Sequence, residues 1–410
     1  MKQSRAMTFG RYDYAAFLSF FAYASGSVAL PVALVSVARD LGFTLEEGGM
    51  SAGGALHLGR TIPMVAAMLM CGFAAGRWGK RRTFGCAVVM MALGILLCAS
   101  APGYAALMAA LMLAGIGEGV VEGLATPFVQ DLHPVEPGRY INFTHSFWSV
   151  GVLTTVLVSG GLMSLGVSWR VLVGAVSGVS CIAAALLLMP SQKGREYPEH
   201  PEPIHWITVW GRTSKILRTP GFWPFFAAMF VAGGGEFCLT FWCASFIQLN
   251  FVDSAWAGGV GTAFFAGGMV LGRTGWGYLI RQHQLKHLIV WSAIGGVIVT
   301  LFFPFVTDLW ALFGLLFLSG IATAPFWPSV QSYCADRLPE TDATMLFIIL
   351  SCAGIPGCGV FTWLMGWIGN QSGGLRTAFY LIPACYVTLA ALIGYDWWKS
   401  VRGSLIREQP

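Results

Sequence analysis

The chain has 410 residues, of which 56% are hydrophobic and 10% charged, with a formal net charge of +5 and a mean hydropathy of +0.68. A soluble globular protein carries about 25% charged residues, and a water-soluble fold of this length could not hide so much apolar surface. The composition excludes a soluble enzyme, a disordered chain and a nucleic-acid binder, and leaves the bilayer as solvent.

A spanning helix needs about 20 apolar residues, so the chain holds about a dozen. The 52 glycines and 19 prolines run through the apolar stretches, as polytopic helical proteins allow. The opening MKQSRAMTFGRYDY is basic and leads into an apolar run of full span length with no small-residue cleavage site. It reads as a retained first helix, not a signal peptide.

Apolar runs follow at 15–38, 51–75, 83–100, 104–131, 140–165 and 170–190, then a polar stretch at 191–221. A second set lies at 222–248, 255–279, 287–305, 309–334, 343–368 and 376–397. The runs at 104–131 and 309–334 are long enough to tilt or overhang. This pattern predicts an all-α integral membrane protein with twelve helices in two six-helix bundles, 1–190 and 222–410. The central loop, 191–221, opens with SQKGREYPEHPEP, a polar, proline-rich linker. It continues with IHWITVWGRTSKILR, either a helix lying on the inner membrane surface or an ordinary basic linker.

Lysine and arginine set the orientation. With the amino terminus inside, Lys2, Arg5, Arg11, Arg77, Lys80, Arg81, Arg82, Arg139, Lys193, Arg195, Arg212, Lys215, Arg218, Arg281, Lys286, Arg337, Lys399, Arg402 and Arg407 all fall on the inner side. Only Arg39, Arg170 and Arg376 fall outside; Arg60 and Arg273 lie within or near spans. Both termini are therefore expected in the cytoplasm, with the protein in the bacterial inner membrane. None of the ten cysteines forms a CxxC pair, so they read as small core residues, with no metal site and no cofactor.

Ionisable residues inside a bilayer are rare and mark function. Glu118 and Glu122 in span four are one helical turn apart on one face, where two carboxylates disfavour ionising together. Glu236 follows Gly233, Gly234 and Gly235, which let a ligand or a backbone approach. In span five, His145 follows Asn142 by one turn. Arg60 lies about 18 Å deep in span two, where it pairs with Glu118, holds an anionic solute or snorkels outward; His57 is one turn away. Asp131, His133 and Glu136 at the end of span four suit a gate or a helix cap better than a metal site. The segments GFAAGRWGKRR (72–82) and GRTGWGYLIRQHQLK (272–286) sit at matching places in the two halves, a duplication typical of secondary transporters.

GFAAGRWGKRR resembles the loop signature of the major facilitator superfamily through Gly72, Arg77, Gly79, Lys80 and Arg81, with Gly76 in place of the usual acid. More narrowly, the chain resembles the fucose–galactose–glucose proton symporter family. The matching stretches are EGLATPFVQDL (122–132), NFTHSFWSVG (142–151), GGGEFCLTFW (233–242), GRTGWGYLIR (272–281) and APFWPSVQS (324–332). The chain departs from that family at Thr126, where the motif has Asn, and at Ser27, where fucose permease has an acid.

The resemblance implies alternating access between two rocking halves, a sugar or polyol-like solute, and proton symport. It makes Glu122 the proton carrier and His145, Asn142 and Glu236 solute contacts. The residues themselves add Glu118 beside Glu122, Arg60 and Gln331 as polar contacts for the solute, and Trp148, Trp242 and Trp327 as rings for sugar C–H faces. Arg77, Gly79, Lys80 and Arg81 become a gating loop. The implied partners are the solute, protons and the lipid bilayer, without nucleic acid. Two alternatives stand beside this reading: an exporter or permease for another small molecule, such as an anion held by Arg60, and a non-transporting membrane sensor. No catalytic triad, metal motif or nucleotide loop supports an enzyme.

Overall fold

The computed structural model describes residues 7–135, 137–190, 196–199 and 206–407. Among them are helices and turns, with no strand and twelve spans long and apolar enough to cross a membrane. The amino-terminal half contains α1 (Arg11–Leu41), α2 (Met50–Trp78), α3 (Lys80–Ser100), α4 (Tyr104–Leu132), α5 (Pro137–Ser164) and α6 (Trp169–Leu188). A connecting helix, α7 (Trp206–Leu217), precedes the second half. That half contains α8 (Trp223–Asn250), α9 (Ala255–Leu279), α10 (Leu285–Thr300), α11 (Leu309–Thr323), α12 (Phe326–Arg337), α13 (Ala343–Ser372), α14 (Leu375–Ala378) and α15 (Leu381–Arg407).

Local chemistry explains the boundaries. Ser254, Asp308 and Asp342 cap α9, α11 and α13, each accepting a bond from the backbone N–H three residues on, which satisfies one donor orphaned at a helix start. Helices α1, α2, α4 and α13 run through Pro31, Pro63, Pro127 and Pro356. The run 309–334 crosses as one span, Leu309–Arg337, but its helix is interrupted at 324–325: α11 stops at Thr323 and α12 begins at Phe326. Pro325 and Pro328 together remove two backbone donors from about one turn, a loss the helix does not bridge. The linker reading of 191–203 also changes. Tyr197 is buried against Phe128, with rings 4.4 Å apart and near parallel, so 196–199 is docked on the amino-terminal half.

The two halves meet through α1 on α8, α2 on α13 and α5 on α9. Small residues allow the approach. A Cβ at Gly54 would lie 2.7 Å from the Thr362 carbonyl oxygen, at Gly366 2.3 Å from that of Met50, and at Gly259 2.4 Å from that of Val156. The Gln248 amide donates across the interface to the Val32 carbonyl at 3.2 Å. At the end of the bundle opposite the termini, Arg39 reaches Glu46 at 2.9 Å and Asp253 at 3.4 Å, and the Asn370 amide donates to the Gly48 carbonyl at 2.6 Å. The exposed Arg39 pairs contribute about 0–1 kcal/mol each, so the tight backbone packing carries this seal.

Gly259→Leu is expected to hold α5 and α9 apart. Overpacking costs about 1–3 kcal/mol, so the closed form should lose about tenfold or more in population. Hydrogen–deuterium exchange should then quicken in the loops at 42–49 and 251–254 without loss of helix content. Unchanged exchange there would show that the α5–α9 contact does not hold this end shut.

Candidate functional site

A cavity of about 2310 Å³ opens between the halves at the end that bears the termini. Its walls come from α2, α4 and α5 on one side and α9, α12 and α13 on the other, and α7 contributes Thr208, Arg212 and Thr213 at the mouth. Charges at the mouth are paired. Lys80 Nζ meets Asp131 at 2.7 Å, and Arg212 meets Asp342 at 3.3 Å. Lys215 donates to the Glu340 carbonyl at 2.8 Å. Helix α7 thus braces the α12–α13 loop through the basic residues that the sequence placed there.

The loop signature is held from the other side of the mouth. Gly79 adopts φ +84°, and a Cβ there would meet the Glu199 carboxylate at 2.7 Å, so glycine suits both the turn and the contact. Glu199 accepts from the backbone N–H groups of Lys80 at 3.0 Å and Arg81 at 3.3 Å, a carboxylate at the positive end of α3. Arg81 donates to the Leu187 carbonyl, and Arg77 is exposed. Tyr197 donates to Asp131 at 2.7 Å; burial first, then this bond, raises its phenol well above the ordinary range. Carboxylates from the central loop and α4 therefore engage the loop where Gly76 replaces the usual acid. At the far end of this cluster, His133 meets Asp13 at 2.6 Å and stacks on Tyr140 at 3.5 Å. Glu136 lies outside the described residues.

Deeper in the cavity, Glu122, Thr126, His145, Trp327 and Gln331 share the wall with Arg273. Thr126 and His145, from two of the matched motifs, are 3.1 Å apart at Oγ1 and Nε2. Gln331 donates to Ser351 Oγ at 3.1 Å. Glu122 is half-buried and has no cationic partner among the described residues. Asn142 precedes His145 by one turn on α5, but its side chain lies outside the described residues.

Glu118 faces a different environment. It is fully buried and paired with Arg60 through both carboxylate oxygens, with Arg60 Nε at 2.6 Å from Oε2 and Nη2 bonded to Oε1. Arg60 also donates to the Gly26 carbonyl and to Ser27 Oγ, each at 3.1 Å. Of the three readings open for Arg60, the structure takes the pairing with Glu118; Arg60 is not on the cavity wall. Its donors are consumed inside the amino-terminal half.

Trp242 is also corrected. It is completely buried, donates its indole N–H to the Thr362 carbonyl at 2.9 Å and offers no face to the cavity. A tryptophan in a helix that is apolar all round carries no sequence mark of the side it faces. Trp148 is half-buried behind the wall, with its ring 5.7 Å from the Arg273 guanidinium. Glu236 is likewise behind the wall, 3.4 Å from Arg273 Nη2. His57 stacks on Phe237 across the halves at 4.9 Å.

Arg273 lies in the matched stretch GRTGWGYLIR but had no role assigned from the sequence. It lines the cavity, touches Glu236 only loosely, and its buried Nε has no partner among the described residues. The available signal was a basic side chain inside a span. Its pairing with Glu236 arises from packing of α8 on α9, which no local pattern records.

Twelve spans in two halves, packed together at one end and parted at the other by a largely apolar cavity that carries a few polar side chains, define a membrane transport protein. Comparison with known proteins agrees. The family model described as Major Facilitator Superfamily matches residues 15–274 and 252–399, and the chain belongs to that superfamily. A plastidic glucose transporter of Arabidopsis thaliana is 26% identical over 190 residues; the match spans 45% of this chain and 32% of that protein. The crystal structure of the nucleoside transporter NupG superposes with a TM-score of 0.74 at 14% identity, covering 94% of this chain and 98% of that one. The E. coli fucose:proton symporter superposes with a TM-score of 0.60 at 15% identity, covering 94% and 99%. At such identities the structural likeness establishes the fold.

Removing one member of a buried ion pair costs about 3–5 kcal/mol, whereas removing both strands no charge. Arg60→Met should therefore sharply lower the thermal stability of the purified protein, and Arg60→Met with Glu118→Gln should recover more than half of the loss. A double variant no more stable than Arg60→Met alone would show that the pair is not the source of the effect.

Proposed function

We propose that the chain carries a sugar or polyol-like solute across the membrane by alternating access, coupled to proton symport, with Glu122 as the proton carrier. The observation that carries this reading is the contrast along one helix face. Glu118 is bound on both oxygens by Arg60, whereas Glu122, one turn on, faces the cavity without a cationic partner among the described residues. A carboxyl in that position exchanges its proton with whichever side the cavity faces and alters its charge as the protein turns.

The rest of the wall suits a hydroxylated solute. His145, Thr126, Gln331 and Arg273 supply donors and acceptors, and Trp327 supplies an aromatic face. Glucose and fucose are the solutes named for two of the similar proteins, and the fucose carrier is named as a proton symporter. The inner-side excess of lysine and arginine supports cytoplasmic termini, so the cavity described here faces inward. Rocking of the halves about the contacts between α2 and α13 and between α5 and α9 would open the other side.

A second reading, an acidic solute, is favoured by Arg273, whose Nε points to no partner among the described residues. An Arg fork binds a carboxylate through two parallel bonds.

Glu122→Gln keeps the side-chain shape and one acceptor but fixes the charge at zero. It should abolish accumulation driven by a pH gradient and retain counterflow exchange, which needs no net proton release. Both are measured with labelled solute in the same proteoliposomes. Undiminished gradient-driven accumulation in Glu122→Gln would remove it as the carrier. Arg273→Lys keeps the charge and loses the fork; a fall of about tenfold or more in affinity for a sugar acid with the neutral sugar unaffected would favour the second reading.

A further inference from the structure

A second concavity of about 730 Å³ lies between α9, α10 and α11, outside the central cavity. Trp276, Ile280 and Leu288 form the wall shared by the two. The groove opens on the surface where Trp291 and Leu318 are 65% and 48% exposed, on spans that a bilayer surrounds. Its two ends differ in chemistry. Along its length run Gly295, Val299, Leu318 and Ala322, and a Cβ at Gly295 would meet nothing within 4 Å. At the end towards the chain termini it is lined by His283, Gln284 and His287.

Those polar residues belong to the turn RQHQLKH, 281–287, which adds Arg281 and Lys286. Among the described residues, no acidic residue lines the groove. His287 is held edge-on against Trp397, with ring centroids 4.4 Å apart, so its ring is positioned by packing.

We propose that this groove binds one anionic phospholipid, with its phosphate on His283 and His287, beside Lys286 in the same turn, and one acyl chain along Gly295. The arrangement matches a lipid in both order and orientation. Imidazole N–H groups and the ammonium donate to phosphate oxygens at the level of the basic loops, where basic pockets between spans recognise lipid headgroups. The chain lies where the helix surface is apolar and recessed, filling space that would otherwise lack contacts. A bound chain would also brace Trp276 and Leu288, which face the central cavity from their other side.

The test is native mass spectrometry of the full-length protein in detergent, titrated with phosphatidylglycerol and, separately, with phosphatidylcholine. The native chain should retain one phosphatidylglycerol about tenfold or more tightly than phosphatidylcholine, a difference of about 1.4 kcal/mol. Gly295→Trp should abolish retention of both lipids by filling the groove, and Gly295→Leu, a smaller intrusion, should weaken both. Replacing His283, Lys286 and His287 together by Gln should erase the preference for phosphatidylglycerol while leaving chain binding. Retention by Gly295→Trp equal to native would overturn the proposal, and so would an undiminished headgroup preference in the triple variant. A mass spectrum dominated by dimers that phosphatidylglycerol does not dissociate would overturn it too, assigning the groove to a second copy of the chain.

Discussion

Arg60 and Glu118 meet in the interior of the amino-terminal half, where their side chains are 5% and 0% exposed. Two such charges cost several kcal/mol each to desolvate, and only close, multiply bonded geometry offsets that. The geometry here meets the requirement: the guanidinium spans both carboxylate oxygens and sends its remaining bonds to Gly26 and Ser27 on α1. The pair therefore ties α1, α2 and α4 into one body. It also withdraws one of two neighbouring acids from the cavity. Of the two, Glu122 is the acid that faces the cavity from α4.

Glu236, in the carboxy-terminal half, is held differently. Glu236 and Arg273 touch through a single contact of 3.4 Å, and Arg273 remains 31% exposed in the cavity. Glu236 thus sits in a loose pair at the inner surface of its half, whereas Asp396 in the same half is held on both oxygens by Arg337. Charge rearrangement during transport is expected where a partner is free to move, which places it on the α4 and α9 faces of the cavity. The seal at the opposite end is consistent with such movement. Gly54, Gly259 and Gly366 bring backbones into contact, so the halves separate there by breaking many weak contacts.

Hydropathy made most of the fold legible, because in lipid every backbone group must be satisfied within its own helix, and that leaves long apolar runs as the visible trace. The twelve spans lie within several residues of the runs. The two prolines that break the run at 309–334 were present in the sequence, but Pro31 and Pro127 in equally long helices do not break theirs, so proline alone does not decide. The site was less legible. In a helix apolar on every side, periodicity does not say which face meets the cavity. Trp327 lines it and Trp242 is packed away, although both lie near polar residues in sequence.

Partners were harder still to read. Arg60 had three open readings, and choosing among them required the position of α4. Glu199 lay in a stretch that composition marks as linker, and its bonds to the Lys80 and Arg81 amides depend on how the central loop folds back. The carboxylate that binds the loop's backbone comes from 119 residues beyond Lys80 in sequence, out of reach of any local motif.

The central claim is that Glu122, not Glu118, exchanges a proton when solute binds. Solute-induced infrared difference spectroscopy on the reconstituted protein tests it by following the C=O stretch of protonated carboxyl groups in water and in deuterated water. The account predicts a carboxyl band that solute perturbs, that is missing in Glu122→Gln and that persists when Glu118 is replaced by Gln together with Arg60→Met. A band that survives in Glu122→Gln and vanishes with Glu118 would contradict it.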